Sequence, residues 1–297
     1  MKILLTGATG LVGSALVTLL APEHELMIVS RDPSRARQQL GHEHQYLASL
    51  DQLHNLNEVD AVINLAGEPI VAKRWSEAQK QKICHSRWDI TEKLSSLIAA
   101  SSTPPHTFLS ASAVGYYGRQ SSNPIDEQGV PHDEFSHQIC KVWEEKALAV
   151  ADKTRVCIFR IGIVLAAHGG ALAKMLPAFK LGLGGPISDG QQGMSWIHLQ
   201  DLLRLLNFLL THAECRGIYN ATAPNPVSNA IFTKALAHAL HRPACLPAPA
   251  FALKVALGEM AELLTEGQFV LPKHAQSDGF EFRFTDINDA MDDLFNR

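Results

Sequence analysis

Gly7, Gly10 and Gly13 stand three residues apart in the segment ILLTGATGLVG near the amino terminus, each removing a side chain where an anion-binding turn needs bare backbone. Gly7 admits a tight turn, Gly10 lets backbone N–H groups reach a pyrophosphate with no Cβ in the way, and Gly13 lets the next helix pack close to the preceding strand. The amino end of that helix adds unpaired donors and the positive end of its dipole, so Thr9, Leu11 and Val12 are expected to hold phosphate beside the glycines. The spacing is G-x-x-G-x-x-G, not the commoner G-x-G-x-x-G, and the dinucleotide reading draws on the place of the turn between a strand and an amphipathic helix. The end of the second strand bears on which dinucleotide binds. NAD-selective sites carry an acid there for the ribose hydroxyls, whereas this chain has Ser30 followed by Arg31. A guanidinium clasps a 2′-phosphate with two charge-assisted bonds and stacks on adenine, which favours NADP(H). Asp32 follows directly and keeps NAD(H) as the second choice.

Other charges near the expected crevice also suit an anionic ligand. Lys73 and Arg74 follow the fourth strand, Arg87 lies on the long helix after them, and Arg160 is inside the sixth strand. Arg87 fits a cofactor phosphate or a structural ion pair. An arginine in a buried strand needs a partner, so Arg160 either pairs internally or reaches the cofactor or substrate. Glu68 is a carboxylate near the nicotinamide or an exposed loop acid.

These residues need a scaffold, and the hydrophobic pattern predicts one. Ile3 to Leu5 is a short buried strand, and Leu11, Ala15, Leu16 and Leu19 recur at helical spacing. Glu25 to Ser30 reads as a second strand, Asp32-Pro33-Ser34 as a helix start, Gln45 to Ala48 as a third strand and Asp60 to Asn64 as a fourth. A long helical stretch between Ser76 and Ala100 ends before Pro104-Pro105. Thr107 to Ser112 is the fifth strand, Glu134 to Ala151 a helix, and Val156 to Leu165 holds the sixth strand. Alternation of strand and helix without hairpin signals predicts an α/β fold: a doubly wound parallel sheet of the Rossmann kind, with its crevice at the strands' carboxyl ends. Composition changes after residue 165, first to glycine and then to repeated proline. The expected division is a dinucleotide-binding domain at 1–165, to which 193–225 returns, and a smaller substrate or lid domain at 166–192 and 226–297.

The chain has 297 residues, 46% hydrophobic and 19% charged, as soluble globular proteins do. A net charge of −4 without clustered Lys and Arg argues against a nucleic-acid surface. Five widely spaced cysteines with no C-x-x-C pair read as reduced thiols in the cytoplasm. No apolar run has signal or membrane-spanning length, and the 14 histidines lack metal-ligand spacing, so neither a membrane nor a metal is expected.

Asn64-Leu65-Ala66-Gly67 resembles the N-x-A-G tetrapeptide that ends the fourth strand in the short-chain dehydrogenase/reductase superfamily. The resemblance places Leu65, Ala66 and Gly67 over the adenosine side of the cofactor. LSASAVGYYG, SWIHLQDL and GIYNA resemble segments of the extended, sugar-nucleotide-epimerase branch. NLAGEPI, KRW, LGLGGPI and VLPKHAQSDGFEFRFTD narrow this to the YfcH-type epimerase-family proteins, atypical extended members with a family-specific C-terminal domain. The resemblance covers essentially the whole chain. It implies NADP(H) binding and a small-molecule substrate, with a nucleotide sugar the leading candidate and a homodimer as the oligomer to test.

One departure stands out. The superfamily uses a Ser to hold the substrate carbonyl, a Tyr as acid/base, and a Lys four residues later that lowers the Tyr pKa and binds the nicotinamide ribose. Ser112 fits the first role. The helix that should carry Y-x-x-x-K reads Phe135-Ser136-His137-Gln138-Ile139-Cys140-Lys141, which puts Ser136 and Cys140 at the Tyr and Lys positions when Glu144 takes the place of the usual helix glutamate. Neither can make a phenol acid with a neighbouring cation. Tyr117 or Tyr116, His137 beside Lys141, and His198 are the conceivable substitutes. The expected function is an oxidoreductase or nucleotide-sugar epimerase. Loss of the Tyr/Lys pair gives the alternative, a non-catalytic NADP(H)-responsive binding protein.

Overall fold

The structure, a computed structural model, describes residues 1–71 and 73–296. The first six strands are β1 (Lys2–Thr6), β2 (Glu25–Val29), β3 (Gln45–Leu47), β4 (Ala61–Asn64), β5 (Thr107–Ala113) and β6 (Arg155–Ile161). The helices among and after them are α1 (Leu11–Leu20), α2 (Pro33–Leu40), α3 (Glu77–Ala99), α4 (Phe135–Leu148) and α5 (Gly170–Lys180). Beyond β6 come β7 (Ile163–Leu165), β8 (Gly193–Met194), β9 (Trp196–His198), α6 (Leu199–Thr211), β10 (Gly217–Ala221), β11 (Val227–Ser228) and α7 (Asn229–Ala239). The chain closes with α8 (Ala250–Leu257), α9 (Glu262–Thr265), α10 (Lys273–Ser277) and α11 (Ile287–Phe295).

Seven strands form one sheet in the order β10-β6-β5-β4-β1-β2-β3, every pair parallel. The predicted doubly wound Rossmann sheet is therefore the one observed. Side chains alternate across it as the pleat requires. Ile3, Leu5, Ile63 and Phe159 pack on one face with Leu16, Leu202 and Leu206 of α1 and α6. Leu4, Val62, Phe108 and Ile158 pack on the other with Leu94 and Ile98 of α3 and Ala147 of α4. The strand order reverses between β1 and β4, so the carboxyl ends of these two strands open the crevice where doubly wound folds hold ligands.

The helix starts predicted from Asp32 and Ser76 are capped as those side chains allow. Asp32 accepts from the Arg35 amide and Ser76 from the Gln79 amide. The stretch read as one sixth strand is two. The backbone of Gly162 meets the Ser195 carbonyl so closely that a Cβ there would collide with it, and β7 leaves the sheet at this point to pair with β9. Apolar content alone could not show that break.

The C-terminal segment is tied down by SWIHLQDL. Ser195 Oγ donates to the Gln268 carbonyl and accepts from the Val270 amide, while the buried Asp201 carboxylate accepts from the Arg283 and Phe284 amides. Leu172, Leu176, Trp196, Phe232, Ile287 and Met291 form a second core under this region.

Candidate functional site

The glycine turn is built as its residue types require. Gly7 has φ of +73°, in the left-handed region open to glycine, and a Cβ there would strike the Leu65 carbonyl. A Cβ at Gly13 would strike the Gly7 carbonyl, so α1 touches β1 and its amino end sits at the crevice. Gly10 is the N-cap of α1 and supplies no side-chain cap. The first-turn amides of Leu11, Val12 and Gly13 therefore face outward for an anion to use. The chain after β7 crosses above: Gly169 and Gly170 press on the Leu11 side chain. Thr9 is exposed at the edge of the turn, its carbonyl accepting from Gln39 Nε2.

At the end of β2, Arg31 is exposed and Asp32 spends a carboxylate oxygen on capping α2, at 3.0 Å from the Arg35 amide. The acid that kept NAD(H) open is thus engaged in the fold, and the guanidinium beside it is free to meet a ligand.

The loop after β4 hangs on Asn64, the first residue of the Asn64-Leu65-Ala66-Gly67 motif. Asn64 Oδ1 accepts from Thr6 Oγ1 at 2.7 Å and from the Ala66 amide at 3.3 Å, and Nδ2 donates to Thr91 Oγ1 at 2.8 Å. A buried amide at a strand end must be satisfied, and here its satisfaction fixes Leu65, Ala66 and Gly67 between β1 and α3. Gly67 lies against Arg87 of α3. Arg87 donates to the Ile83 carbonyl at 3.0 Å, lies over the Trp143 ring at 5.2 Å, and makes no ion pair among the described residues. Glu68 pairs with Lys82 at 3.0 Å and is a loop acid.

Ser112, at the end of β5, faces α4, and it is turned inward. Its hydroxyl donates to Glu144 Oε1 at 2.6 Å, and the residue is 2% exposed. The hydroxyl proton is engaged with a carboxylate, so holding a substrate carbonyl would require Ser112 to release Glu144. Glu144 is held in turn by both sides of Arg160, Nε to Oε1 at 2.8 Å and Nη2 to Oε2 at 2.7 Å. Arg160 Nη1 donates to the Tyr117 hydroxyl at 2.9 Å, which donates to Asn220 Oδ1 at 2.8 Å.

The fork of Arg160 is therefore filled from within. Burial alone would lower its pKa, but the bonds and charge of Glu144 outweigh that and raise it. Of the two readings open for Arg160, the internal pair is the one the structure shows. Tyr117 lies in the same network. Burial pushes its pKa up to about 12, against the opposing pull of Arg160, whereas an acid catalyst needs a value brought down toward working pH. Its hydroxyl has no exposure and bridges two protein groups.

The helix face opposite Ser112 carries Ser136, Cys140 and Glu144, four residues apart and all buried. Burial pushes the Cys140 thiol up to about 11, so no thiolate stands in for the absent lysine. Ser136 donates to Glu134. His137 is buried against the turn after β5, Nδ1 bonded at 2.6 Å to the Tyr116 carbonyl, while Lys141 is exposed. A carbonyl only accepts, so Nδ1 carries a proton in this bond. His198 caps α6 through Nδ1, meets the Phe284 ring in a tilted contact with centroids 4.0 Å apart and lies 3.5 Å from Asp293, which makes it part of the C-terminal core.

A cavity of about 870 Å³ lies at the other end of the sheet, lined by Pro104, His106, Lys153 and Arg216 near the strands' amino ends, away from all of these groups. Among the described residues no cluster of His, Cys, Asp and Glu could hold a metal, and no helix is long and apolar enough to cross a membrane.

Comparison with known proteins agrees with the geometry. Residues 3–222 match the NAD dependent epimerase/dehydratase family, and residues 248–294 match a domain of unknown function, DUF1731. The chloroplastic epimerase family protein SDR39U1 homolog of Arabidopsis thaliana is 40% identical over 298 residues, covering 98% of this chain and 86% of its own. A crystal structure of human epimerase family protein SDR39U1, isoform 2, with NADPH superposes with a TM-score of 0.92 at 33% identity, covering 100% of both chains. The UDP-glucuronic acid 4-epimerase of Bacillus cereus shares the fold, with a TM-score of 0.78 at 17% identity over 100% of this chain and 98% of that one. This chain belongs to the NAD dependent epimerase/dehydratase family, as an atypical extended short-chain dehydrogenase/reductase with a C-terminal DUF1731 domain.

Proposed function

We propose that this protein binds NADP(H) and exchanges hydride with a carbonyl or carbinol carbon of a small molecule, with a nucleotide sugar as the first substrate class to test. The observation that carries the cofactor reading is the uncapped amino end of α1 behind glycines whose Cβ positions are already filled by backbone. The relative solved with NADPH supports it. Gly7, Thr9, Gly10, Leu11, Val12 and Gly13 hold the pyrophosphate, Arg31 the 2′-phosphate, and Leu65, Ala66 and Gly67 the face beside them. When bound, the nicotinamide supplies or accepts the hydride.

The substrate side is formed by 166–192 and 226–297. Two contacts support this placement: Gly258 lies against Arg74, and Glu259 pairs with Lys80 at 2.6 Å, which brings the C-terminal segment to the loop after β4. Five cysteines without a disulfide, four of them buried, suit the cytoplasm.

Titration of NADPH and NADH against the thermal midpoint tests the cofactor. At about 100 times the dissociation constant NADPH adds about 2.7 kcal/mol, and equal shifts with NADH would refute the Arg31 assignment. Nicotinamide absorbance during incubation with sugar nucleotides and aldehydes tests the chemistry. One observation favours a second reading, a cofactor-responsive binding protein: the Ser112 proton is committed to Glu144, and burial pushes the Tyr117 pKa up. Turnover with any member of the panel would eliminate that reading.

A further inference from the structure

Leu181, Leu183, Leu246, Phe251 and Val255 are large apolar side chains left between 53% and 75% exposed. Single apolar residues scattered on a surface mean little, but these five share one region. The chain after α5 runs beside the segment that leads into α8. The Ala248 amide donates to the Pro186 carbonyl and the Ser188 amide to the Ala248 carbonyl, both at 2.9 Å, and a Cβ at Gly185 would strike the Leu246 carbonyl. In α8 itself Ala250, Leu253 and Leu257 form the half-buried side. Phe251, Lys254 and Val255 stand together on the other, at the i, i+3 and i+4 spacing of one helix face, and no residue of this helix is buried. The outer face of a surface helix is ordinarily polar; this one is apolar around a single cation.

The charges of the patch have one sign. No Asp or Glu stands between Asp152 and Asp189 or between Glu214 and Glu259, in a chain whose net charge is −4. Lys180 precedes Leu181, Arg242 precedes the proline that lies against Gly182, and Lys254 stands between Phe251 and Val255, all three exposed. Asp189, at the edge of the first stretch, accepts from the Gln191 amide at 3.0 Å.

Charge decides the occupant. A second copy meeting this face about a two-fold axis would set cations against cations with no acid on either side. Side chains this exposed project from the surface instead of walling a groove for a peptide. An anionic lipid surface answers both features, with Phe251 and the leucines at its acyl boundary and its phosphates at Lys180, Arg242 and Lys254. We propose that the surface formed by 180–188 and 242–255 is a peripheral contact for an anionic lipid bilayer. The inference goes beyond the cofactor reading and does not rest on it. The lack of an apolar run of spanning length does not oppose it, because a face that lies in the interface needs apolar area and charge, not length.

Flotation tests it, with vesicles of phosphatidylcholine alone and of equal parts phosphatidylcholine and phosphatidylglycerol. Wild type is expected to float with the mixed vesicles, to be released by high salt and to ignore phosphatidylcholine alone. Phe251→Ser combined with Val255→Ser should weaken binding about tenfold or more at an unchanged melting midpoint, since neither side chain is packed in the fold. Arg242→Glu should weaken it about tenfold or more, whereas Lys153→Glu, the same change of charge near the strands' amino ends, should not. Wild type that does not float overturns the inference, as do equal losses in Arg242→Glu and Lys153→Glu or undiminished binding by the apolar double variant. Sedimentation velocity tests the other occupant: a wild-type dimer that the double variant dissociates, with no flotation, gives this face to a second copy and also overturns the inference.

Discussion

Arg160 and Arg87 are the same residue type, both withdrawn from water and both lying over aromatic rings, at 3.4 Å from Tyr116 and 5.2 Å from Trp143. Arg160 has its counterion built in, held by two bonds to Glu144, and its pKa rises despite burial. Arg87 has none among the described residues, and burial lowers its pKa. The first arginine closes a network that runs from Ser112 through Glu144 and Tyr117 to Asn220, and so joins β5, α4, β6 and β10. The second leaves one edge of its fork toward the crevice. The difference between the two arginines is whether an acid lies within reach of the guanidinium.

Removing the built-in counterion should have the largest effect. Glu144→Gln leaves Arg160 buried beside a neutral amide, and urea unfolding should show a loss of about 3 to 5 kcal/mol. If Glu144→Gln were no more destabilising than Arg87→Gln in the ligand-free protein, the contrast between the two arginines would collapse.

Alkaline titration sharpens the same contrast. The native state holds the Tyr117 proton from the ordinary value of 10.0 up to about 12, so the native state binds more protons than the unfolded chain in that window. Stability from this group is complete below pH 10 and falls as pH rises toward 12, by about 3 kcal/mol in all. Tyr117→Phe should remove that part of the pH dependence. An unchanged alkaline limb in the variant would mean that the hydroxyl is not held as described.

Two smaller effects separate ligand contacts from internal ones. Arg31→Ala should weaken NADPH about tenfold while sparing NADH, read as the difference between their thermal shifts. Ser112→Ala removes the bond to Glu144, leaves both Arg160 bonds in place, and should lower stability by about 1 kcal/mol in urea unfolding. A loss as large as that of Glu144→Gln would show that Ser112, not the ion pair, anchors the network.

The amino-acid sequence by itself determined the elements and the turn. Short apolar runs and 3.6-residue apolar patterns, the helix start at Asp32, and the glycines at 7, 10 and 13 act over a few residues, so a linear reading captures them. Its resemblance to the short-chain dehydrogenase/reductase superfamily put Ser136 and Cys140 at the positions of the expected tyrosine and lysine. Gly162, by contrast, breaks a continuous apolar run because Ser195, far along the chain, approaches its backbone. The inward turn of Ser112, the fork of Arg160 on Glu144 and the solitude of Arg87 were decided by tertiary structure alone. Each depends on which charged or polar groups long-range folding brings within hydrogen-bond distance, and neither periodicity nor spacing in the chain encodes a partner 16 or 32 residues away.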